Sequence, residues 1–258
     1  MTHGRPVVVT RPRAQAEAFA ARARAAGLEP VVFPLLDIQP LADESALRAA
    51  LARLDRFALV AFVSPNAIDA ALRHVPRWPV QVPLAVVGEG SRQALAAHGI
   101  DDAHYTVHRP HDAERTDSQT LLDTLDLSAL HGKDVLIVRG ESGRELLADA
   151  LRDAGVTVLQ VPAYRRCAPA LDDEHRALLN ALLDRPCDWV VTSSEALRIG
   201  LNMARAVAGK EGVAKLQQHT LYVPHVRIAE TAQALGFAHV VRTASGDEAL
   251  LAALQSRP

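Results

Sequence analysis

The sequence predicts an α/β protein made of two similar halves, each built on a parallel β-sheet covered by helices. Its 258 residues exceed the usual length of one domain and suit two. A segment that begins at residue 7 is repeated from residue 135. Short runs rich in Val, Ile and Leu alternate with Ala-, Leu- and Arg-rich stretches of helical period, which is typical of parallel sheets with helices on their faces.

The repeat extends through most of each half. VVVTRPRAQAEAFAARARAAGLEPVVFP, from residue 7, aligns without gaps with VLIVRGESGRELLADALRDAGVTVLQVP, at an offset of 128 residues. Further along, FVSPNAIDAAL from residue 62 corresponds to VVTSSEALRIGL from residue 190. VVGEGSRQALAAHG from residue 86 likewise corresponds to YVPHVRIAETAQALG from residue 222. The sequence therefore contains an internal duplication.

Each copy contains five apolar runs of strand length. In the first copy they lie near residues 7–10, 30–33, 57–63, 84–87 and 103–107. In the second they lie near residues 135–138, 156–161, 188–192, 220–223 and 238–242. The helices between them are predicted to end at glycines just ahead of a strand, where a glycine C-cap belongs: Gly27, Gly99, Gly155 and Gly236.

The second strand of each copy continues into a proline-containing segment, VVFPLLDIQP from residue 31 and VLQVPAYRRCAP from residue 158. Pro34 and Pro162 occupy equivalent places and suit edge or linker strands. About ten extended residues span roughly 30 Å, enough to pass from one domain to another. Either each copy is a domain, or the chain crosses over and residues 40–160 form one domain. Hydrophobic periodicity does not distinguish these two schemes, because both give five strands per domain.

Composition limits the function classes. The net charge of −2 comes from scattered charges, so we expect no nucleic-acid partner. Cys167 and Cys187 are too few for a disulfide framework or a thiolate metal site and fit a reducing compartment, the cytoplasm. Only a short apolar run follows Pro6, so we expect neither a signal peptide nor a membrane span.

The loops after the strands are the candidate binding site, because ligands of open parallel sheets bind beyond the carboxyl ends of the strands. Residues in these loops offer hydroxyls, glycines, amides or guanidinium groups. The candidate substrate-binding residues are Arg11, Ser64, Asn66, Gly88, Ser91, Ser118, Arg139, Gly140, Ser142, Gly143, Ser193, Ser194 and Arg227.

The alternative is that the serines only cap helices. Ser142 with Glu145, and Ser245 with Glu248, fit the S-x-x-E capping box. Their recurrence in both copies favours a functional role as well, since pseudo-symmetric loops could hold a polyanionic ligand. Capping and anion binding are compatible, so both interpretations stay open.

Other chemistries have little support. The RGESGR loop lacks both G-x-G-x-x-G and a Walker lysine, which argues against a nucleotide site. Pro110 would break any helix that aligned His104, His108 and His111, and no carboxylate completes a familiar ligand spacing, so we expect no metal. No G-x-S-x-G elbow is present, and covalent catalysis is not expected.

Tyr164 lies in the proline-bounded crossover segment, where the first copy has Leu36. Arg165 and Arg166 follow it. The side chain is either an amphipathic tyrosine packed against a linker or a phenolic acid beside cations at a domain junction.

These segments together resemble the uroporphyrinogen-III synthase, or HemD, family. The resemblance rests on TRP after the first strand, FVSPNA, AVVGEGS, DSQTLL, VLIVRGESGRELL, VPAYRR and VVTSSEAL, in this order and spacing, and covers nearly the whole chain. It implies two flavodoxin-like domains, each a five-stranded parallel sheet flanked by helices, with the working site in the cleft between them. Domain 1 would comprise residues 1–36 and 167–258, domain 2 residues 40–162, and the linker strands residues 34–40 and 161–167.

The resemblance also implies a hydro-lyase that needs no cofactor. Hydroxymethylbilane would lose its hydroxyl as water and close to uroporphyrinogen III with ring D inverted. Tyr164 matches the family's linker tyrosine, whose implied role is to protonate or orient the departing hydroxyl. In the loops after the fourth strand of each copy some family members carry threonine, and here Ser91 and Arg227 occupy those places. Ser91 preserves the hydroxyl, whereas Arg227 has none. We expect a monomer with a small-molecule substrate; the alternative is a cytoplasmic two-domain binding protein without catalysis.

Overall fold

The computed structural model describes residues 5–110 and 118–257. The chain divides into two compact units. Unit 1 comprises Met1–Asp37 and Cys167–Pro258, and unit 2 comprises Ile38–Arg166. Within the described residues, no helix is both long and apolar enough to cross a membrane.

The elements follow one another along the chain as alternating strands and helices. Up to the start of unit 2 they are β1 (Val7–Val9), α1 (Arg13–Ala25), β2 (Pro30–Val32) and β3 (Asp37–Gln39). Next come α2 (Ser45–Leu51), the 3-10 helix Leu54–Arg56, β4 (Leu59–Phe62), α3 (Pro65–Leu72), β5 (Leu84–Val86), α4 (Glu89–Ala97), β6 (Val107–His108), α5 (Ser118–Leu122), α6 (Leu127–Leu130), β7 (Asp134–Gly140), α7 (Leu146–Asp153) and β8 (Thr157–Cys167). The last are α8 (Asp173–Leu183), β9 (Asp188–Val190), α9 (Ser194–Gln218), β10 (Thr220–Val223), α10 (Val226–Ala234), β11 (His239–Arg242) and α11 (Asp247–Gln255).

The sheet of unit 1 has the strand order β11-β10-β9-β1-β2, and its neighbouring strands are parallel. Val8 lies opposite Val31 on one side and Trp189 on the other. Numbered within the unit, this is the doubly wound order 2-1-3-4-5, whose topological switch point falls between β1 and β9.

The sheet of unit 2 has the order β3-β8-β7-β4-β5-β6. From β8 to β6 neighbouring strands are parallel and, numbered along the chain, have the order 5-4-1-2-3, a circular permutation of the order in unit 1, with the switch point between β7 and β4. Five strands run from β8 to β6, and Asp37–Gln39, which lies in the segment 34–40 predicted as a linker strand, pairs beside β8 as a sixth strand among the described residues.

Both faces of each sheet are covered. Along β4, Val60 and Phe62 enter one apolar cluster of unit 2, while Leu59 and Ala61 enter another. Val8 and its neighbours on β1 divide between two clusters of unit 1 in the same way. Successive strand residues face opposite sides, so continuous apolar runs are what a sheet with helices on both faces requires.

The predicted helix ends are confirmed. All four glycines follow a helix directly and have positive φ, for example 79° at Gly27. A residue with a β-carbon rarely adopts this conformation, so glycine lets the chain turn into the next strand.

Candidate functional site

Unit 2 brings predicted site residues together at its topological switch point. Strand β4 ends just before Ser64, which precedes α3, and β7 ends at Arg139 and Gly140. The two strands are neighbours, yet their following helices lead toward opposite edges of the sheet. This arrangement opens a crevice beyond the strand ends, the usual ligand position in such folds.

Tyr164 reaches this point from β8. Strand β8 pairs with β7, and the register shifts between Arg139, opposite Pro162, and Gly140, opposite Tyr164. A shift of one residue changes the face to which a strand side chain points. The irregularity therefore decides where the phenol lies.

The ring of Tyr164 is buried and its hydroxyl is hydrogen-bonded. The residue is 6% exposed and belongs to the apolar cluster of Phe62 and Val138. A β-carbon added to Gly140 would stand 3.0 Å from the ring and 3.2 Å from its oxygen, so only glycine gives the ring this space. The phenol oxygen lies 3.0 Å from Ser64 Oγ.

Ser64 also caps α3. Its Oγ accepts a hydrogen bond from the Ala67 backbone N–H at 3.2 Å, and Pro65 occupies the first turn. The capping interpretation is thus confirmed for this serine, which contacts Tyr164 as well.

Arg139 is held inside unit 2. It is 8% exposed and donates to Glu145 Oε1 at 2.5 Å and to Gln160. Gln160 in turn donates to Glu145 Oε2 at 2.5 Å. Hydrogen bonds from Gln160 and then Arg139 lower the pKa of Glu145. A substrate carboxylate would have to compete with Glu145 for this guanidinium group.

The capping-box prediction for Ser142 and Glu145 is wrong. Helix α7 has Glu145 itself at the N-cap, and no side chain caps it. The carboxylate of Glu145 bonds instead to Arg139 and Gln160. The second predicted box fails in a similar way, because α11 begins after Gly246 without a side-chain cap.

The exposed loop after β7 is fastened to β8. The backbone N–H of Glu141 donates to the Tyr164 carbonyl at 2.8 Å. Arg166 donates to the Ser142 carbonyl at 3.0 Å. A β-carbon on Gly143 would stand only 2.8 Å from Arg139 Nη2. Gly140 and Gly143 thus make room for two side chains.

Two more of the predicted binding residues, Gly88 and Ser91, follow β5. A third, Asn66, lies in the first turn of α3. Gly88 is the N-cap of α4, and Ser91 is buried in its first turn. Glu89 accepts two hydrogen bonds from Arg92, at 2.8 and 2.6 Å, and this interaction lowers the pKa of Glu89. Ser118 begins α5, but its side chain lies outside the described residues.

In unit 1, Arg11 follows β1 and is paired within the unit. Its Nη1 lies 2.6 Å from Asp247 Oδ1, and its guanidinium stacks 5.0 Å from the centroid of Phe19. Its side chain is 14% exposed, so little of the cation faces solvent.

Two serines follow β9. Ser193 caps α9 by accepting from the N–H groups of Glu195 and Ala196, at 3.2 and 3.4 Å. Ser194 Oγ lies 3.1 Å from Thr231 Oγ1, which is 2.8 Å from the Arg227 carbonyl. The Thr231 hydroxyl thus has two acceptors within reach of its one proton, Ser194 Oγ and the Arg227 carbonyl.

Arg227 is exposed in the first turn of α10. Among the described residues no acidic side chain pairs with it. Burial, and then the charge of Arg227, lower the pKa of His225, which precedes the helix. Arg227 therefore differs from Arg11 and Arg139 in carrying an uncompensated charge.

A metal site has no support in the described part of the chain, where no three His, Cys, Asp or Glu residues cluster. His104 bonds to Asp101 at 2.8 Å, and burial lowers the pKa of His108. His111 lies outside the described residues.

Sequence reasoning missed Gln160, Asp247 and Thr231, and gave Glu145 the wrong partner. Each bonds to a side chain or carbonyl supplied by another element, as with Asp247 and Arg11 across 236 positions. No local motif signals such a contact.

These features define a class: proteins of two doubly wound α/β units, one of which carries a tyrosine–serine pair at its switch point. A sequence model of the family described as "Uroporphyrinogen-III synthase HemD" matches residues 17–252. The chain belongs to this family.

Related sequences and structures agree. A uroporphyrinogen-III synthase of Salmonella typhimurium is 30% identical over 254 residues, which cover 96% of this chain and 99% of the relative. One of Escherichia coli K12 is 29% identical with the same coverage. The fold resembles uroporphyrinogen-III synthetase of Helicobacter pylori 26695, with a TM-score of 0.63, 17% identity and coverage of 98% of this chain and all of that one. A mutant enzyme of Thermus thermophilus gives a TM-score of 0.58, with 17% identity and 98% coverage of both chains.

Proposed function

We propose that this chain is a uroporphyrinogen-III synthase, which cyclises hydroxymethylbilane with loss of water and inversion of ring D. The match of residues 17–252 to the family carries the proposal. The hydrogen-bonded phenol of Tyr164 at the switch point supports it, because the reaction needs a proton for its leaving group.

In the proposed reaction, Tyr164 donates its proton to the departing hydroxyl. The carbon–oxygen bond breaks and its electron pair leaves with the oxygen as water. The adjoining pyrrole nitrogen supplies electrons to the carbon and releases its own proton, which restores the Tyr164 phenol and leaves a neutral azafulvene. This electrophile reacts readily, so the protein's main task is to hold the chain so that the inverting carbon attacks.

The substrate carries eight carboxylates, which suit scattered arginines and helix starts. Arg227 supports such contacts because it is exposed and no acidic group pairs with it among the described residues. Arg144, absent from the predicted set, has the same two properties in the loop after β7. Arg11 and Arg139 would each have to exchange an internal carboxylate for one of the substrate.

We further propose that the protein acts in the cytoplasm, as a monomer and without nucleic acid. Both cysteines are free, as in a reducing compartment, and the net charge of −2 provides no attraction for a polyanion. Light scattering on the purified protein should give the mass of one chain, and a dimer mass would contradict this.

The test supplies hydroxymethylbilane and separates the I and III isomers of the product. We expect isomer III in excess of the uncatalysed mixture. Isomer I alone, formed at the uncatalysed rate, would exclude the enzyme. Binding of substrate without turnover would favour the alternative of a non-catalytic binding protein.

A further inference from the structure

The two hydroxyls of Ser64 and Tyr164 meet across 100 positions of sequence. Among the described residues, Ser64 is the one side chain that hydrogen-bonds the phenol oxygen. The other constraints on Tyr164 act elsewhere: Gly140 underlies its ring, and Glu141 binds its carbonyl. Ser64 therefore holds the one polar atom of the side chain.

The capping bond leaves the proton of Ser64 free to donate. Ser64 Oγ already accepts from the Ala67 N–H at 3.2 Å, and a hydroxyl also has one proton to donate. If that proton goes to the phenol oxygen, the proton of Tyr164 stays available for a substrate. This bond also strengthens as negative charge develops on the phenol oxygen, because hydrogen bonds to ionised acceptors are the stronger ones.

Unit 1 provides an internal comparison. Where β8 of unit 2 carries Tyr164, the equivalent position of unit 1 is the buried Leu36, which follows β2. Unit 1 keeps a capping serine at the equivalent place, Ser193, which bonds to backbone N–H groups. A helix cap at this position thus needs no tyrosine, and the bond between a capping serine and a tyrosine occurs in unit 2 alone among the described residues.

We propose that Ser64 is a positioning residue for Tyr164: it donates its proton to the phenol oxygen, directs the phenol proton to the leaving hydroxyl and stabilises the resulting anion. This inference rests on the proposed synthase activity. It assigns Ser64 a role beyond helix capping and distinct from direct binding of a substrate carboxylate.

The experiment is a double-mutant cycle measured as the rate of isomer III formation. We expect Ser64→Ala to lower kcat about tenfold with little change in KM, since a net hydrogen bond is lost in the transition state. Ser64→Thr should restore most of the rate. In the Tyr164→Phe background, Ser64→Ala should have no further effect on kcat, because its partner is gone.

Two further variants separate positioning from capping. Asp172 caps α8 by accepting from the His175 N–H, with the same three-residue spacing. We expect Asp172→Ala to reduce stability but keep kcat. Ser64→Gly removes the hydroxyl but keeps an accepted N-cap residue, so it serves if the alanine variant fails to fold, and it should show the same loss of kcat.

Unchanged kcat in the folded Ser64 variants, a change confined to KM, or an equal loss in the Tyr164→Phe background would each overturn the inference. These outcomes leave the proposed function intact as long as the wild type makes isomer III. A wild type that makes only isomer I would instead refute the proposed function.

Discussion

The guanidinium group of Arg139 fills the space that a side chain on Gly143 would need, with Nη2 2.8 Å from the position of the added carbon. Arg139 cannot move freely, because it is 8% exposed and bonded to Glu145 and Gln160. We expect Gly143→Ala to lower the unfolding temperature by roughly 2–4 °C in calorimetry.

Gly90 offers a matched control for that change. It lies in α4, and a β-carbon there would make an ordinary 3.7 Å contact with Pro65. Gly90→Ala should raise the unfolding temperature, since alanine favours a helix by up to about 1 kcal/mol. Equal effects of the two substitutions would contradict the role given to Arg139.

Replacement of Tyr164 by phenylalanine tests the phenol itself. We expect Tyr164→Phe to lower kcat about 100-fold, the usual contribution of general acid catalysis. The ring would keep its place in the cluster with Phe62, so the stability loss should be about 1 kcal/mol. Tyr105→Phe, a phenol deletion elsewhere in unit 2, is the control. Full activity of Tyr164→Phe would remove its acid role.

The buried ion pair Asp188–Arg257 anchors the end of unit 1. Arg257 Nη1 lies 2.6 Å from Asp188 Oδ2, and the Asp188 side chain is 2% exposed. We expect Arg257→Ala to reduce the free energy of unfolding by about 3 kcal/mol in urea titrations, because it leaves a buried charge unpaired. Arg5 is 56% exposed and lies 4.0 Å from the same carboxylate. Its replacement by alanine should reduce the free energy of unfolding by less than about 1 kcal/mol. A larger loss at Arg5 would reverse this assignment.

Unit 1 should lose stability in mild acid through His219. Burial lowers the pKa of this imidazole below its ordinary value, so the unfolded chain binds a proton at a higher pH than the folded one. The free energy of unfolding therefore falls as the pH drops below about 6.5, by at most about 1.4 kcal/mol per pH unit, and levels off below the folded pKa.

Urea titrations at pH 7.5 and 5.5 measure this loss. We expect it to be smaller in His219→Gln than in the wild type, with His108 and His225 accounting for some of the remainder. The exposed His239 offers a matched substitution, and the loss in His219→Gln should be smaller than that in His239→Gln. Identical losses in all three proteins would exclude His219 as a source.

Residues 38–166 should fold as an isolated fragment. The strands β4 to β8 and the two apolar clusters of unit 2 lie within this range. We expect a cooperative unfolding transition by circular dichroism. A fragment of residues 1–128, one sequence copy, should lack it, because β4 would lose β7 and β1 would lose β9. Cooperative folding of the copy would contradict the division into units.

Periodicity predicted most strands and the helix ends well because they depend on local sequence, but the strand expected at residues 103–107 lies at Val107–His108. The pairing of β1 with β9 could not be obtained in this way, since both domain schemes give the same strand count. Periodicity did not indicate strand β3, because Asp37–Gln39 has no strong strand pattern; the family resemblance placed a linker strand at residues 34–40, which contain it.

The candidate site was predicted in outline, as loops beyond the strand ends. Its contacts were not, because Ser64 and Tyr164 meet only through the register shift in β8. The capping boxes failed for a related reason. The local motif assigned the carboxylates of Glu145 and Glu248 to helix caps. Side chains of other elements bind them instead: Arg139 pairs with Glu145, and Arg22 pairs with Glu248.

The exchange of strands between the two copies sets an order for folding during synthesis. Unit 2 is one continuous stretch of chain and can form as soon as Arg166 has left the ribosome. Val8 cannot pair with Trp189, its neighbour in the sheet, until the ribosome has synthesised Trp189. The first strands thus emerge early with their apolar edges unpaired, and unit 1 is completed last.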